Sequence, residues 1–187
     1  EEVLGTPVST ATLDELDNTD FILLVETDPA TPHLIAGLRV KRASQRGATV
    51  VALNSFDSLA DQFASQVEAP GANLELVQEM LKYVLEHSPK AENLANRDTL
   101  LEDLEDVTVS DTAKDIATQY MEANNAIVVF QQHTLSKDAA YALGNLAVAS
   151  GHDRKPRSGV IALTLGSNTN GLSLLGIHSS FWCQPSN

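Results

Sequence analysis

The sequence predicts an α/β protein with a doubly wound, mainly parallel sheet and helices on both faces of that sheet. Three short apolar runs read as buried strands, at residues 21–25, 48–53 and 126–130. Continuous apolar runs of this length are typical of parallel strands that helices cover on both sides. Helical patterns lie between the runs, and this alternation of strand and helix indicates βαβ units.

The first predicted helix follows the first strand. Thr31 can cap it, Pro32 can take its first position, and Gly47 can end it. The fixed φ of proline suits the first turn of a helix, and glycine is common just after the last turn. The apolar residues that we expect on its inner face are Leu34, Ile35 and Leu38.

Three further helices have a polar residue at the start and apolar residues at helical spacing. Asn73 can cap the helix over 74–87, Ser110 begins the next one, and Ser136 begins a helix that ends at Gly151. The apolar residues expected on their inner faces are Leu76, Met80, Leu81 and Val84, then Ile116, Tyr120 and Met121, then Ala140, Leu143 and Leu146.

The remaining segments carry weaker signals. Residues 65–69 are a candidate strand, and 159–163 are a candidate edge strand. Residues 87–110 are acidic and polar, which predicts a crossover between two halves of the sheet with one short helix around 100–104. Residues 179–187 form a tail without a regular pattern.

Composition limits the classes of function. The 25 acidic and 12 basic side chains give a net charge of −13, which repels phosphate backbones and argues against a nucleic-acid partner. Cys183 is the single cysteine, so an internal disulfide or a cysteine-held iron–sulfur cluster is excluded. No apolar run predicts a membrane span, and no signal peptide is recognisable. We expect one α/β domain over residues 1–187 that is a piece of a longer subunit, since the chain opens at Glu1.

Polar side chains follow the predicted strands. Ligands of open α/β sheets bind at the carboxyl ends of the strands, so these residues are candidates for a binding rim. They are Thr27, Asp28, Asn54, Asn73, Gln131 and Gln132. The alternative is that they shape turns and cap helices, as Asn, Asp and Ser commonly do. Asp28 in particular is either a base or ribose-binding acid, or a turn residue beside Pro29.

No complete catalytic motif accompanies this rim. The sequence has no G-x-G-x-x-G loop after a strand, no Walker loop and no G-x-S-x-G elbow. Its five histidines lack the spacing of a metal site. His133 is the histidine placed at a strand-to-helix turn, where it either takes part in catalysis or is a structural or solvated residue. Cys183 has no identified base to activate it.

Two long stretches resemble the third domain of molybdopterin oxidoreductases. They cover residues 13–86 and 110–177 and include "DFILLVETDPATPHLIAGLRVKRASQRGATVVALNSFDS" and "NNAIVVFQQHTLSKDAAYALGNLAVASGHDRKPRSGVIALTLGSNTNGLSLLGI". The chain resembles most the module carried by the large iron–sulfur subunit of NADH:quinone oxidoreductase, respiratory complex I. In cofactor-using members of this family, loops after the strands cradle the guanosine dinucleotide arm of the pterin cofactor.

The resemblance assigns residues to that cofactor rim. Thr27, Asp28 and Pro29 match the polar turn after the first strand. The turn with Gly71 and Asn73 matches the family's Pro-Gly-x-Asp turn, with Asn73 in place of the aspartate. Gln132 and His133 stand at the family's turn after the strand predicted at 126–130.

Two departures from the family pattern weaken a cofactor site. Glu26 stands where the family usually has glycine, and "LNSFDS" lacks the Pro-Arg pair usual after the second strand. A rim that gains a carboxylate and loses an arginine is poorly suited to a pyrophosphate.

The resemblance therefore implies a non-catalytic scaffold domain of an NADH:quinone oxidoreductase subunit, without a cofactor of its own, in a parent that carries iron–sulfur clusters. The expected partners are other domains and subunits of a respiratory complex, in the cytoplasm and peripheral to the inner membrane. The alternative is a functional domain of a formate dehydrogenase-like oxidoreductase that binds molybdopterin guanine dinucleotide. A third class, an independent small-molecule-binding Rossmann-like protein, is disfavoured because this sequence has no dinucleotide fingerprint loop.

Overall fold

The computed structural model describes residue 4 and residues 9–68, 73–153, 155–166 and 168–175. Gly71, Cys183 and the predicted tail at 179–187 lie outside these residues. So does residue 69, the last position of the candidate strand 65–69.

The centre of the described structure is a five-stranded parallel sheet with the strand order β3-β2-β1-β4-β5. Its strands are β1 (Phe21–Val25), β2 (Thr49–Leu53), β3 (Gln66–Glu68), β4 (Ala126–Gln131) and β5 (Gly159–Leu163). Strand β1 pairs in parallel with both β2 and β4, so that Leu23 lies beside Val51 and Val128. The predicted parallel α/β sheet is confirmed, including both weaker strand candidates.

Helices and short 3-10 segments connect the strands. The helices are α1 (Leu34–Gln45), α2 (Asn73–His87), α3 (Arg97–Asp103), α4 (Asp111–Glu122), α5 (Lys137–Ser150) and α6 (Thr169–Leu174). The 3-10 segments are Leu13–Asn18, Leu59–Phe63 and Ala91–Asn93.

Two apolar layers sandwich the sheet because successive strand residues point to opposite faces. On one face Leu23 and Val128 pack with apolar residues of α2, α4 and α5. On the other face Ile22 and Ile127 pack with α1 and with the 3-10 segments at 13–18 and 59–63. Helices therefore cover both faces, which makes the sheet doubly wound as the sequence predicted.

Helix ends follow the predicted capping chemistry in α4 and α5. The hydroxyl oxygen of Ser110 accepts a hydrogen bond from the Ala113 N–H at 3.2 Å, and that of Ser136 accepts one from Ala139 at 3.1 Å. Gly151 ends α5 with φ +72°, the left-handed conformation that glycine adopts without a steric penalty.

The prediction for α1 was wrong in two respects. The helix begins at Leu34, not at Pro32, and the Thr31 hydroxyl donates to the Asp28 carboxylate at 2.6 Å instead of capping it. The predicted inner residues, Leu34, Ile35 and Leu38, are more than half exposed. Smaller residues are buried in their place: Ala36, Val40 and Ala43 pack on the sheet, and Gly37 lies against the loop before the helix.

The acidic segment 87–110 contains more structure than the sequence predicted. Its short helix is α3, which begins at Arg97 and not near residue 100. Ala91, Leu100 and Leu104 are buried in the same core layer as α2 and α4. The acidic side chains Glu102, Asp103, Glu105 and Asp106 point to solvent.

Candidate functional site

Three loops meet at the carboxyl edge of the sheet, and we call them the rim. They are residues 26–33 after β1, 54–59 after β2 and 131–136 at the end of β4. The strand order reverses between β1 and β4, and ligands of open α/β sheets bind at such a switch point. The topology therefore places the predicted candidate residues of these three loops at one edge.

Glu26 joins two of these loops through its carboxylate. One carboxylate oxygen accepts the Ser55 N–H at 2.9 Å, and the other accepts the Ser55 hydroxyl at 2.6 Å. We call this arrangement the Glu26–Ser55 clasp. Its two members lie in the two stretches where the sequence departs from the family pattern, so those departures contact each other.

The backbone at Glu26 is unusual for a residue with a side chain. Its φ of +46° lies in the left-handed region, which costs a non-glycine residue roughly 1–2 kcal/mol. The clasp supplies charge-assisted hydrogen bonds that offset this cost. On the other side, the Glu26 carbonyl accepts the Thr134 hydroxyl at 2.7 Å, which ties the loop after β1 to the loop after β4 across the switch point.

Asp28 shapes the turn that leads into α1. Its carboxylate accepts the Ala30 N–H at 3.1 Å and the Thr31 hydroxyl at 2.6 Å. Partial desolvation works to raise its pKa, but hydrogen bonds from Thr31, Ala30, Ser58 and Leu59 outweigh it and hold the pKa below the ordinary value. A carboxylate satisfied in this way serves as a turn residue, the second of the two roles considered from sequence.

Thr27 and Asn54 form a buried polar pair between β1 and β2. The Thr27 N–H donates to Asn54 Oδ1 at 2.9 Å, and both side chains are almost completely buried. Thr27 Oγ1 and Asn54 Nδ2 have no hydrogen-bond partner in the protein. Buried polar atoms without partners are rare and costly, so these two atoms are the part of the rim best suited to hold a polar ligand or a water molecule.

The histidines of the rim lie on facing loops. His133 and Gln132 are exposed, whereas Gln131 is buried at the end of β4. Partial desolvation, and then the nearby charge of His133, lower the pKa of His33. His33 Nε2 is buried without a partner. The sequence indicates His133 as a candidate, but it carries no signal that His33 lies close to it.

Two predicted site residues belong to the segment that follows β3. Asn73 begins α2, and its side chain, like Gly71, lies outside what the structure describes.

Within the described part of the chain, no group of three or more His, Cys, Asp or Glu side chains is arranged to hold a metal ion. Among the same residues no helix is long and apolar enough to cross a bilayer.

Three residues that hold the rim together, Ser55, Ser58 and Thr134, were not among the predicted site residues. The signal for Ser58 was present, because Ser-x-x-Asp before a helical segment is a capping box, here between Ser58 and Asp61. No comparable signal exists for Ser55, since its partner lies 29 residues away.

The donor set of the rim does not fit a diphosphate. The three loops contain no Lys or Arg, and they contain the carboxylates of Glu26, Asp28 and Asp57. Lys137, at the start of α5, is already engaged in an interaction. Two cations elsewhere are also used by the fold: Arg39 pairs with Asp14 and Asp17, and Lys90 donates to the Ser150 carbonyl. We therefore assign no step of chemistry to a pterin cofactor at this rim.

Fold and rim together define a parallel α/β domain with polar loops at the switch point of its sheet. Residues 3–178 match the family described as "Molybdopterin oxidoreductase", and the chain belongs to that family. The prediction of the family is thus confirmed.

Two similar curated proteins are formate dehydrogenase subunits. The "F420-dependent formate dehydrogenase subunit alpha" of Methanocaldococcus jannaschii is 23% identical over 195 residues, which cover 92% of this chain and 29% of that protein. The "F420-dependent formate dehydrogenase 2 subunit alpha" of Methanococcus maripaludis is 22% identical over 94% of this chain and 29% of that protein. The chain thus spans less than a third of these relatives. They support the formate dehydrogenase-like superfamily and give no support to the specific assignment to complex I.

Two solved structures share the fold with a TM-score of 0.59 each. Acetylene hydratase from Pelobacter acetylenicus is 15% identical, and the match covers 76% of this chain and 22% of that one. The formyltransferase/hydrolase complex from Methylorubrum extorquens, with methylofuran, is 16% identical, and the match covers 96% of this chain and 45% of that one. Their names describe different chemistries, so the fold does not by itself specify the reaction.

Proposed function

We propose that this chain is a structural domain without a cofactor of its own in a subunit of the molybdopterin oxidoreductase family. The parent would be an electron-transfer complex, and its iron–sulfur clusters would lie in other parts of the polypeptide. The observation that carries this proposal is the Glu26–Ser55 clasp. It places a negative charge, held by two hydrogen bonds, at the strand tip where a cofactor phosphate would approach.

The charge of the whole chain and the charge of the rim loops both support this function. The net charge of −13 and the absence of Lys and Arg from the three rim loops both oppose binding of a diphosphate. Asp28 adds a second carboxylate, and its hydrogen bonds keep it ionised. An NADH:quinone oxidoreductase remains our proposal for the parent, with the chain cytoplasmic and attached to the inner membrane through its complex.

The second candidate is a functional cofactor-binding domain of a formate dehydrogenase-like oxidoreductase. Two observations favour it: the similar curated proteins are formate dehydrogenase alpha subunits, and Thr27 Oγ1 and Asn54 Nδ2 are buried without partners. In that case molybdopterin guanine dinucleotide would place a polar group against Thr27 and Asn54.

A thermal-shift measurement with GDP separates the two candidates. A ligand at about 100 times its dissociation constant stabilises a protein by about 2.7 kcal/mol, which is roughly 5–10 °C for a chain of this size. We expect the melting temperature of the wild type to change by less than about 1 °C at millimolar GDP, with ADP as the nucleobase control. A rise of several degrees with GDP contradicts the scaffold function.

Glu26→Gly is the matched variant for the same measurement. Glycine tolerates the left-handed φ at this position and removes the carboxylate. If GDP raises the melting temperature of the variant but not that of the wild type, Glu26 is the residue that keeps the nucleotide from binding. The complete reading frame gives an independent test: the scaffold function requires cluster-binding cysteines upstream, whereas the second candidate requires the other pterin-binding domains.

A further inference from the structure

Helix α1 exposes large apolar side chains in its first two turns. Leu34, Ile35 and Leu38 have 66%, 64% and 56% of their surface accessible. Single exposed apolar residues are common, but a cluster of long aliphatic side chains on one helix face marks an interaction site. Because Val40 and Ala43 on the other face already pack on the sheet, the exposed face is not needed for the fold described here.

The loop after β2 extends this exposed surface. Phe56 and Leu59 are 39% and 54% accessible. The 3-10 segment Leu59–Phe63 is held beside α1 by a hydrogen bond from the Ser44 hydroxyl to the Phe63 carbonyl at 2.7 Å. The Leu59 N–H also lies near the Asp28 carboxylate, in the turn that precedes α1, and helps to lower its pKa. The two elements therefore lie side by side in the layer that covers one face of the sheet, with Leu59 near the turn that precedes α1.

Other exposed apolar residues lie towards the same edge. Among the described residues, large hydrophobic side chains are also exposed in α5, in the loop after β5, in α6 and just after it: Tyr141, Leu165, Leu172, Leu174 and Leu175. Val67, in the short strand β3, is the exception. The opposite edge of the sheet differs: the described segments that lead into the strands at their amino ends expose no large hydrophobic side chain. Apart from Val67, the exposed apolar side chains of the described residues thus lie in elements that follow the carboxyl ends of the strands.

We propose that the surface formed by Leu34, Ile35, Leu38, Phe56 and Leu59 is where another domain of the same polypeptide docks. The inference rests on the proposed function as one domain of a longer subunit. In the four similar proteins the matching segment is 29%, 29%, 22% and 45% of the chain, so this fold recurs beside further polypeptide. A second copy is disfavoured because two chains of net charge −13 repel each other.

Charge also describes the docking face of the partner domain. Lys41 and Arg42 follow Leu38 along α1 and are exposed on this otherwise acidic protein. We therefore infer an apolar partner surface with acidic side chains opposite Lys41 and Arg42 and basic ones opposite the exposed Asp57, since rim charges across an interface are complementary.

Site-specific photo-crosslinking in the full-length polypeptide tests this docking surface. A benzophenone amino acid replaces Leu38 or Leu59 in two variants, and replaces the exposed Glu122 at the end of α4 as the control. We expect crosslinks from positions 38 and 59 to peptides of the same polypeptide outside residues 1–187, in several-fold higher yield than from position 122. Crosslinks to a second copy or to a different chain, equal yields at all three positions, or a reading frame without further domains would overturn the proposal.

Leu38→Lys gives a second readout that does not depend on crosslinking chemistry. Since Leu38 is exposed, the melting temperature of the 187-residue chain should change by no more than about 1–2 °C. In the full-length polypeptide the same change should lower the melting temperature of this domain by several degrees. An equal effect in both contexts contradicts docking at this surface. The GDP measurement is independent, so GDP binding would refute the scaffold function without changing the crosslinking result.

Discussion

His152 should make the protein lose stability at mildly acidic pH, although it lies away from the rim. The imidazole is completely buried, and its ring stands edge-on to Tyr120 with ring centroids 5.0 Å apart. Nε2 lies 3.1 Å from the Tyr120 carbonyl oxygen, so in the neutral ring Nε2 carries the proton and donates it. Nδ1 is buried without a partner, and protonation there would bury a charged N–H that has no acceptor.

Desolvation is the main reason why the pKa of His152 falls from 6.5 to about 4. The positive charges of Lys90 and Lys155 lower it further, whereas the hydrogen bond to Tyr120 and the charge of Asp153 act in the opposite direction.

Because the pKa is lower in the folded state, the unfolded chain binds more protons as pH falls from 6.5 towards 4. Stability is therefore fully present above pH 6.5 and is lost as pH falls through this window. With pKa values of 6.5 unfolded and about 4 folded, protonation at pH 5 favours the unfolded chain about 30-fold, or roughly 2 kcal/mol.

Urea unfolding of the wild type and of His152→Gln between pH 7.5 and pH 5 measures this effect. Glutamine can donate to the Tyr120 carbonyl but does not titrate, so the variant should lose roughly 2 kcal/mol less than the wild type over this range. His33, whose pKa is also lowered, contributes equally to both proteins. The lowered pKa values of Asp28 and Glu15 act mainly below pH 5. Parallel pH profiles of the two proteins would refute the argument.

Three substitution experiments test the packing and the rim. A double-mutant cycle with Glu26→Gln and Ser55→Ala should give a coupling free energy of about 1 kcal/mol in urea unfolding, and additive effects would contradict the clasp. Val40→Ala should cost at least about 1 kcal/mol, whereas Leu38→Ala should stay within about 0.5 kcal/mol; the reverse order would restore the sequence-based orientation of α1. Gly37→Ala should cost about 1–3 kcal/mol, because a Cβ would lie 2.6 Å from backbone of the preceding loop; an unchanged melting temperature would contradict that close packing.

Much of the fold could be predicted because its signals are local. The apolar runs at β1 and β4 are buried on both faces, and Ser136 with Gly151 marks both ends of α5. The position of the rim followed from strand topology alone. The clasp could not be predicted, because it depends on a left-handed φ at Glu26 and on Ser55, which lies 29 residues away.

Helix α1 shows why periodicity alone can orient a helix wrongly. Apolar residues occur on two of its faces. The face with Ile35 and Leu38 has the larger side chains, so its burial would remove more apolar area from water than burial of Ala36 and Val40. Close approach decides the outcome, since Gly37 lets the helix touch the backbone of Pro29 and Ala30 in the preceding loop, and in that orientation Ala36, Val40 and Ala43 pack on the sheet. A hydrophobic pattern indicates that a face is buried but not what buries it. For the outer face of α1, a neighbouring domain satisfies that pattern as well as the core of this one would.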